Sequence, residues 1–333
     1  MPETRSETER PFVSVVLPTA GRSPWLGHAV RSALAQTYAA LEVVLVDDSR
    51  EGQADQPWNL LWAGEERVRV LRTGGIGGAA ARRAGVEAAR GEWIAFLDDD
   101  DEWLPEKIAR QMEAAQISAP ARGHVVMACR QWVRTAASEY LFPRRVYDGV
   151  EPMASYLFCR RGFTQGGGFL QTSTLVAPRA LLLETPFRAG LRVHQDWDWL
   201  LRVARRGDVR VRVLEEALAV YRTEDGRETV SQRPDWRASL DWIREHRGRI
   251  DPRAYSWFVA VQCVWKARAA GTPLRAWAEI ARAFVAEGRP GLRSALYFLG
   301  FAVFPVGWRK SLRNRMWRVK REERNLWALM LRW

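Results

Sequence analysis

Four consecutive carboxylates, Asp98, Asp99, Asp100 and Asp101, follow the apolar run WIAFL at 93–97. Like charges crowded at the end of a buried strand repel one another unless water or a cation screens them. In an open parallel sheet that end is also where ligands bind. Asp98 and Asp100 are spaced to give oxygens to one hard cation if the turn curls around it, and all-oxygen ligation suits Mg²⁺ or Mn²⁺. A nucleotide diphosphate would complete the shell, and the ion would neutralise charge developing on a leaving diphosphate. Asp101 would orient the loop or a bound sugar. Without a ligand the same run reads as a solvated turn or an acidic helix start. An EF-hand is excluded, because its alternating acids, glycine and closing glutamate are missing.

A second acidic pair lies in HQDWDWLLR, where Asp196 and Asp198 flank Trp197. A helix N-cap with an acidic first turn accounts for both. The chemical reading is a base, since a carboxylate within hydrogen-bond reach of a hydroxyl can take its proton as that hydroxyl attacks. Trp197 and Trp199 offer an aromatic platform for an acceptor, with one of them serving as ordinary core. Asp47 and Asp48 close the run EVVLV at 42–46. A carboxylate there accepts from a base N–H or a ribose hydroxyl, or simply caps the turn. Arg82 carries a rigid fork suited to phosphate, and reads otherwise as a surface-helix residue. The glycines at 74, 75, 77 and 78 lack a P-loop's GK[ST] ending and miss the dinucleotide fingerprint, so they read as flexible backbone passing near a ligand.

These residues need elements that bring them together. Apolar runs predict strands at 12–18, 42–46 and 93–97, RVRVLR predicts another at 67–72, and helical spacing fills 26–36, 78–90 and 104–117. Strand and helix in alternation predict a mostly parallel α/β sheet, in which the acids at 47–48 and 98–101 converge on one crevice. Further strands are expected at 125–133, at FLQTSTLVA (169–177) after a flexible Gly166–Gly168 loop, and at 209–214, with a helix over 197–206. After about residue 234 the chain turns rich in Trp, Arg and Ala with helical spacing, which puts a boundary near 230–235.

The 333 residues suggest roughly two domains and enough material for a sizeable core. A formal charge of +12 favours nucleic acid, an anionic membrane surface or phosphorylated substrates without choosing among them. Three scattered cysteines form no disulfide framework or CxxC site, which fits a reducing, cytoplasmic compartment. The N-terminal MPETRSETERPF has no apolar core and is not a signal peptide; YFLGFAVFPVGW is short for a membrane span. From Arg309 to Trp333 nine Lys or Arg face two Glu, and Trp308, Leu312, Met316, Val319, Leu326, Met330 and Trp333 form an apolar stripe. Such a tail packs on the protein with a solvated basic rim, or lies on the anionic inner face of the cell membrane. Nucleic acid is the weaker partner, since no recognition fold is evident.

Five segments in order, SVVLPTAGR (14–22), VVLVDDS (43–49), AARRAG (80–85), RGEWIAFLDDDDEWLPEKI (90–108) and HQDWDWLLR (194–202), resemble family 2 glycosyltransferases, inverting enzymes of the GT-A fold. The resemblance spans roughly residues 12–225. It implies an α/β GT-A catalytic domain at 10–232, with a mostly parallel Rossmann-like nucleotide-binding sheet, followed by a helical region at 233–333 that ends in the basic amphipathic tail. By matched position it assigns donor binding to Pro18, Thr19, Asp47, Asp48, Arg82, Asp98 and Asp99, the metal to Asp98 and Asp100 of a DxD element, and the base to Asp196. Asp101, Trp197 and Asp198 fall to support or acceptor contact. The pattern departs at Arg83 and Gly75, where the family commonly has asparagine, at Gln195, which replaces a glutamate, and at YRTEDG (221–226), which lacks a histidine. The implied reaction moves a sugar from a UDP-, GDP- or dTDP-linked donor to a hydroxyl of a glycan, lipid-linked or small-molecule acceptor, using Mn²⁺ or Mg²⁺, in bacterial surface polysaccharide or glycan assembly. Two alternatives stand beside it. A metal-dependent nucleotidyltransferase would release pyrophosphate and would not need Asp196 as a hydroxyl base. An inactive membrane-surface or scaffold protein on the same fold would keep its binding after loss of Asp98, Asp100 and Asp196. A homodimer is compatible with the tail.

Overall fold

Apolar runs buried on both faces form β1 (Val13–Thr19), β2 (Leu41–Asp47) and β4 (Trp93–Phe96), and the more exposed β3 (Val68–Arg72) lies at the edge beside β2. The computed structural model describes residues 10–50, 62, 64–118, 123–135, 138–162, 168–223 and 233–303. The remaining strands are β5 (Glu102–Trp103), β6 (His124–Thr135), β7 (Glu139–Phe142), β8 (Val176–Pro178) and β9 (Val209–Thr223). Their order is β3-β2-β1-β4-β8-β6-β9-β5, with β7 on β6. The β3-β2-β1-β4 part is parallel throughout, as is β6-β9, while β8, β7 and β5 join antiparallel.

The parallel part is a crossover array. Helix α1 (Leu26–Leu34) links β1 to β2, and α2 (Gly78–Ala88) links β3 to β4. Gly85 lets α2 lie close on the sheet: a Cβ there would stand 2.5 Å from Val16 and 2.9 Å from Val46. After β4, α3 (Lys107–Ser118) completes the cover of a core that includes Val13, Val15, Leu17, Val43, Leu45, Trp103, Ile108 and Met127. Glu42 faces the sheet interior and is kept charged by its partners. The Ser14 hydroxyl donates to it at 2.7 Å, the Arg90 N–H at 2.8 Å and Arg69 at 3.0 Å. Burial raises its pKa, but these donors outweigh burial and leave it below the usual carboxylate range.

Short helices α4 (Met153–Phe158) and α5 (Arg179–Glu184) precede α6 (Gln195–Val203), the carrier of HQDWDWLLR. The strand expected at 169–177 is mostly something else: Thr172–Thr174 form a 3₁₀ turn and only Val176–Pro178 pair. The polar side chains there serve the acidic loop. In turn, the strand expected at 209–214 runs on to Thr223, past a register shift at Cys129–Gln131 of its neighbour β6. The doublet Glu215–Glu216 that broke the apolar pattern falls in that shift, as β-bulge residues do.

Two compact units emerge: Met1–Leu157 with Gly167–Val230, and Phe158–Gly166 with Ser231–Trp333, each over its described residues. The second is helical. Asp235 caps α7 (Trp236–Glu245), and Asp251 caps α8 (Pro252–Phe258), which passes through a π-helical stretch into α9 (Val264–Ala269). Helices α10 (Leu274–Arg282) and α11 (Leu292–Val303) follow. Arg244 ties Glu279 at 2.8 Å and Glu287 at 3.0 Å, and the Tyr255 hydroxyl donates to Glu287 at 2.7 Å. Among the described residues no helix is long and apolar enough to cross a membrane. The basic tail at 309–333, Gly166 and Gly167, and Glu224–Gly226 of YRTEDG lie outside the described residues.

Candidate active site

Three strand ends set the site. Thr19 ends β1 directly opposite Asp47, which ends β2, and the acidic loop begins two residues past β4. The parallel register therefore places all three on the same C-terminal edge, as an open α/β sheet requires of a ligand crevice. Pro18 lies half-buried in β1 opposite Val46.

The Thr19 hydroxyl donates to Asp99 at 2.6 Å and accepts from the Gly21 N–H at 3.0 Å, while Ser23 donates to the Asp99 carbonyl at 2.8 Å. Asp99 thus joins the acidic loop to the loop after β1. Asp47 is buried, with one carboxylate oxygen accepting from the Ser49 N–H at 3.0 Å. Its other oxygen is buried with no hydrogen-bond donor among the described residues, and Arg72 Nε lies 3.9 Å from it. An orphaned buried carboxylate oxygen is costly unless a ligand satisfies it.

Asp48 does something else. Its two oxygens accept from the Thr73 hydroxyl at 2.7 Å and from the N–H groups of Gly75, Ile76 and Gly77 at 3.0, 2.7 and 2.8 Å. The glycine-rich segment read as flexible is wound around a carboxylate, and Gly77, at φ 93°, turns the chain into α2 in a conformation other residues rarely adopt.

Arg82, on the first turns of α2, reaches across the crevice. One guanidinium nitrogen donates to Gln195 Oε1 at 2.7 Å, and the other pairs with Asp98. Its Nε is buried with no acceptor among the described residues. Gln195 opens α6 and is also tied to the Leu191 carbonyl at 2.7 Å. One residue on, Asp196 accepts from the Trp197 N–H at 2.9 Å. Burial pushes its pKa up to about 6, against the pull of that N–H and of Arg82, with Asp98 adding to the rise.

Oxygens of Asp98, Asp100 and Asp101 lie within 4.8 Å of one another. Ser173 fixes the loop at both ends: its hydroxyl accepts from the Asp98 N–H at 3.0 Å and donates to Asp101. Gln171 also donates to Asp101 at 2.9 Å. Asp101 is buried, and that burial together with Asp100 and Asp98 holds its carboxyl well above the usual range. The donor set is all carboxylate oxygen, which fits a hard divalent cation. Asp98 and Asp100 would hold it, since Asp101 already serves Gln171 and Ser173.

Asp198 and Trp197 point to support. Asp198 is fully buried and pairs with Arg202 at 2.8 Å and Arg188 at 3.3 Å. Trp197 stacks on His194 at 5.0 Å and meets Phe169 edge-on, and Trp199 stacks on Phe187 in the core. Gln171, Ser173 and Thr73 gave no signal in the sequence. Gln195 stood out only as a replacement, and its partner lies 113 residues away.

Residues 14–153 match the family model described as Glycosyl transferase family 2. The chain is 27% identical over 254 residues to the amylovoran biosynthesis glycosyltransferase AmsB of Erwinia amylovora, covering 73% of this chain and 81% of that relative. It is 41% identical over 109 residues to the succinoglycan biosynthesis protein ExoO of Rhizobium meliloti, covering 32% of this chain and 30% of the relative. It is 35% identical over 108 residues to the putative teichuronic acid biosynthesis glycosyltransferase TuaG of Bacillus subtilis, covering 31% and 42%. The match thus spans most of AmsB but under half of ExoO and TuaG. Among solved structures, S. aureus TarS 1–349 in complex with UDP-GlcNAc aligns at a TM-score of 0.53 and 17% identity, covering 83% of this chain and 79% of that one, a likeness of fold.

Proposed function

Taking residues 14–153 as a member of glycosyl transferase family 2, we propose that the chain transfers a sugar from a nucleotide-diphosphate donor to an acceptor hydroxyl, with inversion, in bacterial polysaccharide assembly. The observation that carries this is the bridge made by Arg82, which ties the Asp98 end of the acidic loop to Gln195, the neighbour of Asp196. One guanidinium thereby joins the place for a diphosphate to the place for a base. The relatives named for amylovoran, succinoglycan and teichuronic acid biosynthesis, and the UDP-GlcNAc complex of TarS, support the polysaccharide setting and a UDP-type donor.

Each residue has a stated task. Pro18, Thr19 and Asp47 line the nucleoside end, where the orphaned Asp47 oxygen accepts from a base N–H. Asp48 shapes the glycine turn beside them. Arg82 offers its buried Nε to the diphosphate, and Asp99 keeps the two loops in register. A bound Mg²⁺ or Mn²⁺ at Asp98 and Asp100 supplies charge neutralisation for the leaving diphosphate. Asp196 takes the proton of the attacking hydroxyl, and no covalent intermediate on the enzyme is needed. Asp101, Trp197 and Asp198 hold this arrangement from behind.

Titration calorimetry with UDP, GDP and dTDP tests the donor half. At least one nucleotide should bind, more tightly with Mn²⁺ than with chelator, and Asp100→Ala should remove the metal's effect. Arg82→Ala should weaken binding about 10- to 100-fold, the worth of a charge-assisted hydrogen bond. Equal affinity with and without metal in wild type would sink the metal assignment, and no binding of any nucleotide would sink the donor site.

A further inference from the structure

The helical unit holds a cavity of about 110 Å³ lined by Arg160, Arg161, Gly162, Trp257, Arg293 and Tyr297. Three of its lining residues are arginines, and none of the described residues that line it is acidic. The walls are aromatic. Trp257 and Tyr297 meet at 5.1 Å, and the Arg160 guanidinium lies 5.3 Å over the Tyr297 ring. The backbone is held firmly: Tyr297 donates to the Gly162 carbonyl at 2.9 Å and Arg293 to the Arg161 carbonyl at 3.2 Å. None of this belongs to the acidic loop or to α6.

An independent feature adjoins it. Helix α11 (Leu292–Val303) exposes Leu292 at 79%, Leu296 at 46%, Leu299 at 59% and Val303 at 63%. Their spacing of four, three and four residues makes one helical stripe. Arg293 and Tyr297 each follow a stripe leucine by one position, so they lie along its flank. The apolar face and the basic cavity are therefore two sides of one helix. Residues 288–303 contain two arginines and no acid, and beyond them the sequence from Arg309 to Trp333 carries nine Lys or Arg against two Glu.

We propose that this face docks on a bilayer containing anionic phospholipid, with a lipid phosphate in the arginine cavity and the leucine stripe in the acyl boundary. A phosphodiester matches the guanidinium fork, which binds its oxygens in pairs. Tyrosine and tryptophan sit well at headgroup depth, where one end is apolar and the other wet. An apolar stripe flanked by arginines is the pattern of a helix lying in an interface. Charge and apolar surface together select the bilayer over a soluble phosphate, which has no use for the leucines, and over a second copy of this basic face, which would oppose arginine to arginine.

The test is flotation of the full chain with phosphatidylglycerol-containing vesicles and with pure phosphatidylcholine vesicles, at physiological ionic strength. Two double variants are compared with wild type, Arg160→Glu with Arg293→Glu, and Leu296→Asn with Leu299→Asn. Wild type should float with the anionic vesicles. Each double variant should lower the partition coefficient at least about tenfold, since every arginine near an anionic surface contributes several-fold. Hydrogen exchange on wild type gives a readout that needs no variant: 158–162 and 292–303 should exchange more slowly on anionic vesicles. The proposal is overturned if wild type does not float, or if exchange in those segments is unchanged. It is equally overturned if both variants float like wild type, which would assign binding to the sequence beyond 303. Loss with the arginine pair alone would leave a phosphate site without lipid contact. A change of sedimentation coefficient in the leucine variant, with flotation intact, would mark the stripe as a contact between copies.

Discussion

Asp196 carries a carboxyl that burial lifts to about 6, and the Trp197 N–H and Arg82 only partly offset the rise. A general base works deprotonated, so the account predicts kcat/KM level above that pKa and falling tenfold per pH unit below it. Asp196→Asn keeps the shape and the N–H contact but cannot take a proton. Turnover should drop by about 10²- to 10⁴-fold while nucleotide affinity, measured by calorimetry, stays at the wild-type value. Unchanged turnover would remove Asp196 from the reaction. At this scale the sequence was partly legible. A run of four Asp after WIAFL and a paired Asp in HQDWDWLLR announce oxygen chemistry by type and spacing. Their division of labour does not show. Asp48 looks like Asp47 in the sequence, yet it spends both oxygens on Thr73 and the N–H groups of Gly75 to Gly77. Side-chain direction at a strand end decides this, and that depends on the turn that follows.

The glycine turn between β3 and α2 is the element most exposed to a single change. Asp48→Ala removes one hydroxyl and three N–H contacts to a charged acceptor. The expected cost is roughly 2 kcal/mol in urea unfolding, with faster hydrogen exchange over 73–77 and weaker nucleotide binding. A stable variant with unaltered exchange would mean the turn holds itself. Elements followed the sequence well where one physical signal dominated. The buried runs gave β1, β2 and β4 within a residue or two, because strands covered on both faces read as continuous apolar segments. The pattern misled where function interrupts it. FLQTSTLVA has strand composition, but Ser173 and Gln171 are committed to Asp101, so Thr172–Thr174 turn instead of pairing. The Glu215–Glu216 bulge hid the second half of β9 for a related reason: alternation fails where the strand bends.

Across the molecule, the Asp98–Asp100–Asp101 cluster lies in the first unit, and the helical unit carries one arginine-lined cavity and a leucine face. The net charge of +12 favours anionic partners without choosing among them, and both a nucleotide diphosphate and a lipid phosphate are compatible with it. The two sites make separate predictions, so failure of membrane docking would leave the transfer chemistry standing. The central claim is sugar transfer from a nucleotide-diphosphate donor with Asp196 as base. The most direct measurement is product release from a panel of nucleotide sugars with Mn²⁺ or Mg²⁺, scored separately for nucleoside diphosphate and pyrophosphate, in wild type and Asp196→Asn. Slow donor hydrolysis suffices where the acceptor is not supplied. The account predicts metal-dependent release of nucleoside diphosphate from at least one donor by wild type, and strongly reduced release by Asp196→Asn. Pyrophosphate in place of nucleoside diphosphate, or equal release by the two proteins, would contradict it.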